Sequence, residues 1–104
     1  MDQSNTKFIT INQVHVQNTK LKFKNSLKVS IAEAFTDEGD YLLIGENEGI
    51  NLYVFAYTLE DLKKEINQQI AMMWDEYVRP EPENFASDAL RLRGRLMEHI
   101  EEID

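Results

Sequence analysis

Two histidines, His15 and His99, and four serines, Ser4, Ser26, Ser30 and Ser87, are the side chains of this 104-residue sequence from which nucleophilic catalysis would be assembled. A serine nucleophile needs a histidine base and an orienting carboxylate brought together in space. No nucleophile-elbow sequence surrounds any of the four serines, His15 sits in an alternating strand-like run, and His99 lies between Glu98 and Glu101. The absence of cysteine excludes a disulfide framework, a thiolate metal site and a cysteine nucleophile together. Zinc would require several Cys or His ligands at short spacing, which two separated histidines do not supply. A calcium loop laid over Asp37 to Glu48 puts Leu42 where the invariant glycine belongs and Gly39 and Tyr41 at ligand positions, so "TDEGD" is expected to be a hairpin turn. The sequence therefore predicts no catalytic residue, no metal and no cofactor.

Binding chemistry is better represented. In "INLYVFAYTLEDL" (50–62), Ile50, Leu52, Val54 and Ala56 occupy one phase of a strand, while Tyr53, Phe55 and Tyr57 occupy the other, which should have been polar. Aromatics on an open sheet anchor protein interfaces or stack bases. Charge discriminates between these. Residues 1–28 hold five lysines against one aspartate, net +4, whereas residues 29–104 hold six basic and eighteen acidic groups, net −12. An acidic body disfavours phosphate backbones and steers a basic protein toward it. Glu46, Glu48, Glu60 and Asp61 flank the aromatics and are the candidate partners for such a protein. "KLKFK" sets Lys20, Lys22 and Lys24 on one face, as expected of an edge strand guarded by lysine or, alternatively, of a phosphate-contacting edge. Arg91 and Arg95 have Asp88 and Glu98 three residues away, enough for intrahelical ion pairs.

The elements that position these residues change character at Thr58. Before it, apolar residues alternate: 7–16, with a phase shift predicting a bulge near Asn12-Gln13, then 20–24, 27–35, 41–44 and about 50–56. After it, Leu59, Leu62, Ile66, Ile70, Met73, Trp74 and Tyr77 recur every three or four residues, predicting a helix over about 58–78 with Thr58 as N-cap and Asp61 three residues on. Pro80 and Pro82 end it. A second helix is expected over about 84–103. Its stripe of Phe85, Ala89, Leu92, Leu96, Ile100 and Ile103, widened by Leu90 and Met97, exceeds what one contact hides, so Phe85, Leu92, Leu96 and Ile100 are expected at a dimer interface. The chain should form one domain over 1–104, an α+β fold in which an antiparallel meander of four to five strands packs against a long helix. With neither a signal-peptide pattern nor a run of about 18 apolar residues, a cytoplasmic location is expected.

From Val29 to about Ile70 the chain resembles the HicB-type antitoxin domain, a small two-layer domain partially related to the ribonuclease H fold. The resemblance rests on a strand, the acidic-glycine turn "TDEGDY", a strand, the glycine turn "NEGI", a strand, and "TLEDLKKEI", similar to the family's "TLEEA" helix start. Ala56 and Ile50 stand where the family commonly has glycine and often cysteine, and only one helical segment follows Pro82, where many members carry a DNA-binding motif. The resemblance implies a non-enzymatic protein that binds a small basic RNase toxin of the HicA type, besides assembling with itself as a homodimer or higher oligomer. The alternatives are a self-assembling structural domain with no toxin partner and an RNA binder using the lysine edge.

Overall fold

The computed structural model describes residues 7–103. The chain runs β1 (Lys7–Val16), β2 (Thr19–Phe35), β3 (Tyr41–Asn47), a 3-10 turn, β4 (Leu52–Ala56), α1 (Leu59–Met73), a π-helical turn (Trp74–Val78), a second 3-10 turn, α2 (Ser87–His99) and β5 (Ile100–Glu102). The expected α+β architecture is present: an antiparallel sheet in the order β1-β2-β3-β4, with β5 on β2, packed by a long helix and a second helix.

The two expected strands at 20–24 and 27–35 are one strand of 17 residues. β1 pairs with it throughout, and the register jumps from Ile11↔Leu27 to Gln13↔Lys22, so the bulge falls where the phase shift predicts. The extra residues belong to β2, where the Ser26 hydroxyl donates to Asn12 Oδ1 across the break. Since Phe23 and Leu27 are four residues apart, the apolar phase survives, and Leu21, Phe23, Leu27, Val29 and Ile31 are all buried on one face. "KLKFK" is thus not an edge: β1 flanks it on one side and β5 on the other.

α1 begins where capping chemistry dictates, with the Asp61 amide donating to Thr58 Oγ1 at 3.1 Å. Leu62, Ile66, Ile70, Met73 and Trp74 carry its stripe into the core against Val29, Leu52 and Val54, whereas Leu59 is largely exposed. Gly45 sits beneath Ile66, whose Cδ1 is 3.5 Å from where a Cβ would stand.

The expected helix over 84–103 is shorter. It starts at Ser87 and stops at His99, where Ile100 turns extended (φ −128, ψ 146) and joins β2. Three backbone pairs, Leu21↔Glu102, Lys22↔Glu101 and Phe23↔Ile100, replace the last helical turn, and the Ile103 amide donates to the Lys20 carbonyl at 2.9 Å. Glu102 then clamps the sheet to the π-helical turn. It accepts from Trp74 Nε1 at 2.9 Å and from Arg79 Nη2 at 2.7 Å, while Arg79 also reaches Asp75 at 2.6 Å. These bonds, Arg79's first, hold the Glu102 carboxyl below the usual carboxylate range.

Candidate functional site

Strand alternation places Leu52, Val54 and Ala56 of β4 against α1, so Tyr53, Phe55 and Tyr57 face away from it, at 59%, 58% and 61% exposure. The sequence alone could not say what stands beside them; the register does. Residues directly opposite share a face. Tyr53 lies opposite Glu46, Glu46 opposite Ser30 and Ser30 opposite Phe8, forming one row across the four strands. Phe55, Ile44 and Ala32 make the next row, and Leu42 and Ala34 a third. The result is an uncovered apolar surface in which Leu42 and Ile44 are half-buried between exposed aromatics. Phe8 closes its far end beneath the Lys28 ammonium, 5.0 Å above the ring centroid. Phe8, Leu42 and Ile44 belong to this surface although nothing in their own segments marks them, because membership is decided by cross-strand pairing.

Of the four candidate carboxylates, two adjoin the aromatics. Glu46 is cross-strand to Tyr53, and Asp61 lines a hollow of about 300 Å³ with Phe55 and Tyr57. Glu48, in the 3-10 turn before β4, and Glu60, in the first turn of α1, are exposed at the two ends of the strand.

The same open face carries a second, polar half. Lys20 and Lys22 flank the buried Leu21 and project with Lys28 from the side that bears the aromatics, whereas the Lys24 ammonium donates to the Met97 carbonyl of α2 at 3.4 Å. His15 stands opposite Lys20, and Glu101 stands opposite Lys22.

The expected interface on α2 divides. Leu96 and Ile100, at 0% and 2% exposure, are part of the chain's own core, because β5 folds Ile100 under the sheet against Phe23. That burial removes both from any dimer contact. Phe85 and Leu92 are half-buried, Phe85 meeting Tyr77 edge-on at 6.2 Å between centroids. Arg91 pairs with Asp88 at 3.4 Å, as the spacing predicts. A Cβ on Gly94 would meet nothing within 4 Å, so that glycine serves no close helix crossing.

His99 lies 4.0 Å from Glu98 at the end of α2, and His15 is on the open face of β1. Among the described residues no three of His, Cys, Asp or Glu stand close enough to hold a metal ion, and no helix is long and apolar enough to cross a membrane. No protein-family model, curated protein or solved structure matches this chain.

Proposed function

We propose that this chain is a non-enzymatic, cytoplasmic protein-binding module of the antitoxin type, which holds a small basic ribonuclease against the open face of its sheet. The observation that carries the reading is the row Tyr53, Phe55 and Tyr57, each about 60% exposed on a face that also presents Ile44 and Leu42. Aromatic side chains bury roughly 150–250 Å² each when enclosed. Covering the exposed part of three of them is worth ~9 kcal/mol gross at about 25 cal/mol per Å². Association itself costs about 4–15 kcal/mol, so the aromatics alone do not hold a partner and complementary charge must add to them. Glu46 and Asp61 beside the aromatics, Glu48 and Glu60 at the ends of β4, and the −12 net charge of residues 29–104 supply the sign that a basic protein requires. The resemblance over residues 29–70 points to the same class of partner.

The test is affinity capture from the native host with the tagged chain, identification of bound species by mass spectrometry, and sizing of the complex by light scattering. A stoichiometric small basic protein, lost with the Tyr53→Ser/Phe55→Ser variant while circular dichroism is unchanged, is the expected result. Recovery of this chain alone, or capture undiminished in a folded variant, overturns it.

One observation favours a second reading. Lys20, Lys22 and Lys28 share their face with Phe8 and the aromatic row, an arrangement in which lysines take phosphates and rings stack bases of single-stranded RNA. Salt-sensitive RNA binding abolished by Lys20→Glu/Lys22→Glu would support it, and no binding at low salt would eliminate it.

A further inference from the structure

We infer that β4 pairs through its outer edge with β4 of a second copy of this chain, joining two sheets into one across a two-fold axis at Val54. The inference is independent of which client, if any, docks on the open face.

Four strands in the order β1-β2-β3-β4 have two outer edges, and these are built differently. β1 changes its own inward phase from Ile9 and Ile11 to Val14 at the register break and, beyond it, presents the exposed polar residues Gln13 and His15, features that discourage another strand from adding on. β4 has none of these. "LYVFA" contains no charge, proline or glycine, its five register pairs with β3 run without a break, and no described strand pairs its other side. An edge of that kind offers a straight row of backbone donors and acceptors to any extended segment.

The occupant is specified by symmetry. Antiparallel pairing of Val54 with Val54 of the second copy places Tyr53 opposite the copy's Phe55 and Phe55 opposite the copy's Tyr53, giving two aromatic cross-strand pairs on the open face. Leu52, Val54 and Ala56 stay on the helix side in both copies, so neither copy exchanges its buried phase for its exposed one. Beside this edge, α1 contributes Asp61, Lys64, Glu65 and Gln68 to the hollow shared with Phe55 and Tyr57. That patch carries both signs, Lys64 between Asp61 and Glu65, so two copies meeting along this edge do not oppose like charge alone. A chain of net charge −8 repels its own copies over most of its surface. The uncharged strand with its mixed-sign flank is where that repulsion is relieved.

The absence of native cysteine makes the register directly testable. Opposed residues in an antiparallel pair have Cα atoms about 4.5–5.5 Å apart, within disulfide reach. Position 53 and its own symmetry mate, offset by two residues along the strands, are roughly 8 Å apart and out of reach. Chains carrying Tyr53→Cys and Phe55→Cys are prepared separately and oxidised alone and mixed, with circular dichroism as the fold control. Disulfide-linked dimer from the mixture but little from either variant alone is expected, together with a wild-type mass of about twice 12.2 kDa by light scattering and slowed amide exchange over residues 52–56. A monomeric mass with fast exchange there overturns the inference, a result that does not depend on either variant folding. So does a dimer in which each variant cross-links to itself, which would mean a different register or face-to-face packing.

Discussion

Replacing Ile100 by alanine separates the core that the structure shows from the subunit interface that the helical stripe predicts. Ile100 is 2% exposed, pairs across from Phe23 at 4%, and lies near Leu96 at 0% in the same core. Removing its branched chain leaves a cavity beneath β5 whose walls are the central strand and the end of α2, neither of which can collapse without breaking backbone pairing. Isoleucine-to-alanine changes at such sites cost about 2–5 kcal/mol. A domain of this size is stable by about 5–15 kcal/mol in total. The expected loss is therefore a substantial fraction of the whole, and it lowers the melting temperature by ~10 °C or more. Urea titration read by fluorescence measures it well, because Trp74 is the only tryptophan, is 5% exposed and donates to Glu102, two residues beyond the substitution. Glu101→Ala, on the exposed phase of the same strand, is the control and should stay within about 0.5 kcal/mol. A loss below 1 kcal/mol for Ile100→Ala, accompanied by conversion of a dimer to monomers, would refute the burial argument and return Ile100 to an interface.

Glu102→Gln tests the clamp by pH. The carboxyl is held below the usual carboxylate range in the folded chain by its bonds to Arg79 and Trp74, so its contribution is complete above the unfolded value and disappears as pH falls through the folded one. Urea midpoints between pH 6 and pH 3 should therefore fall less steeply for Glu102→Gln than for wild type, and parallel curves would contradict the assignment. Gly94→Ala, where a Cβ meets nothing within 4 Å in mid-helix, should stabilise the chain by about 1 kcal/mol in the same titration. Thr58→Ala removes the acceptor of the Asp61 amide and should cost about 1 kcal/mol, with helical circular dichroism retained.

Much of the fold was legible because local chemistry and tertiary structure agree there. Thr58 caps α1 as its spacing with Asp61 announces, and the alternation of residues 52–57 separates core from open face without error. The failures occur where pairing overrides periodicity. Leu96, Ile100 and Ile103 are spaced as a helix stripe, and no glycine or proline marks a stop, yet the vacant edge of β2 draws residues 100–102 into a strand. The segments 20–24 and 27–35 read as separate strands but form one, with a bulge at Asn25 and Ser26, because the four-residue step from Phe23 to Leu27 preserves the buried phase. The candidate site was half legible. Its aromatics were visible in their own segment, while Phe8, Ile44 and the lysines reach the same face only through successive strand pairings, Phe8 with Ser30, Ser30 with Glu46 and Ile44 with Phe55.

The three-residue strand β5 also constrains when the molecule can exist. During synthesis β2 emerges early, and its hairpin with β1 forms from neighbours in sequence, but the other edge of Leu21 to Phe23 stays empty until residues 100–102 arrive some eighty positions later. Until then Phe23 and Leu21 have neither Ile100 nor Leu96 over them, and a stretch of strand backbone beside four lysines is open. The nascent chain is thus a hairpin with a sticky seam through most of its elongation, in a topology whose last contact spans nearly its full length. Such contacts slow folding, and the exposed seam is the point at which a truncated product or a stalled ribosome would expose the chain to aggregation.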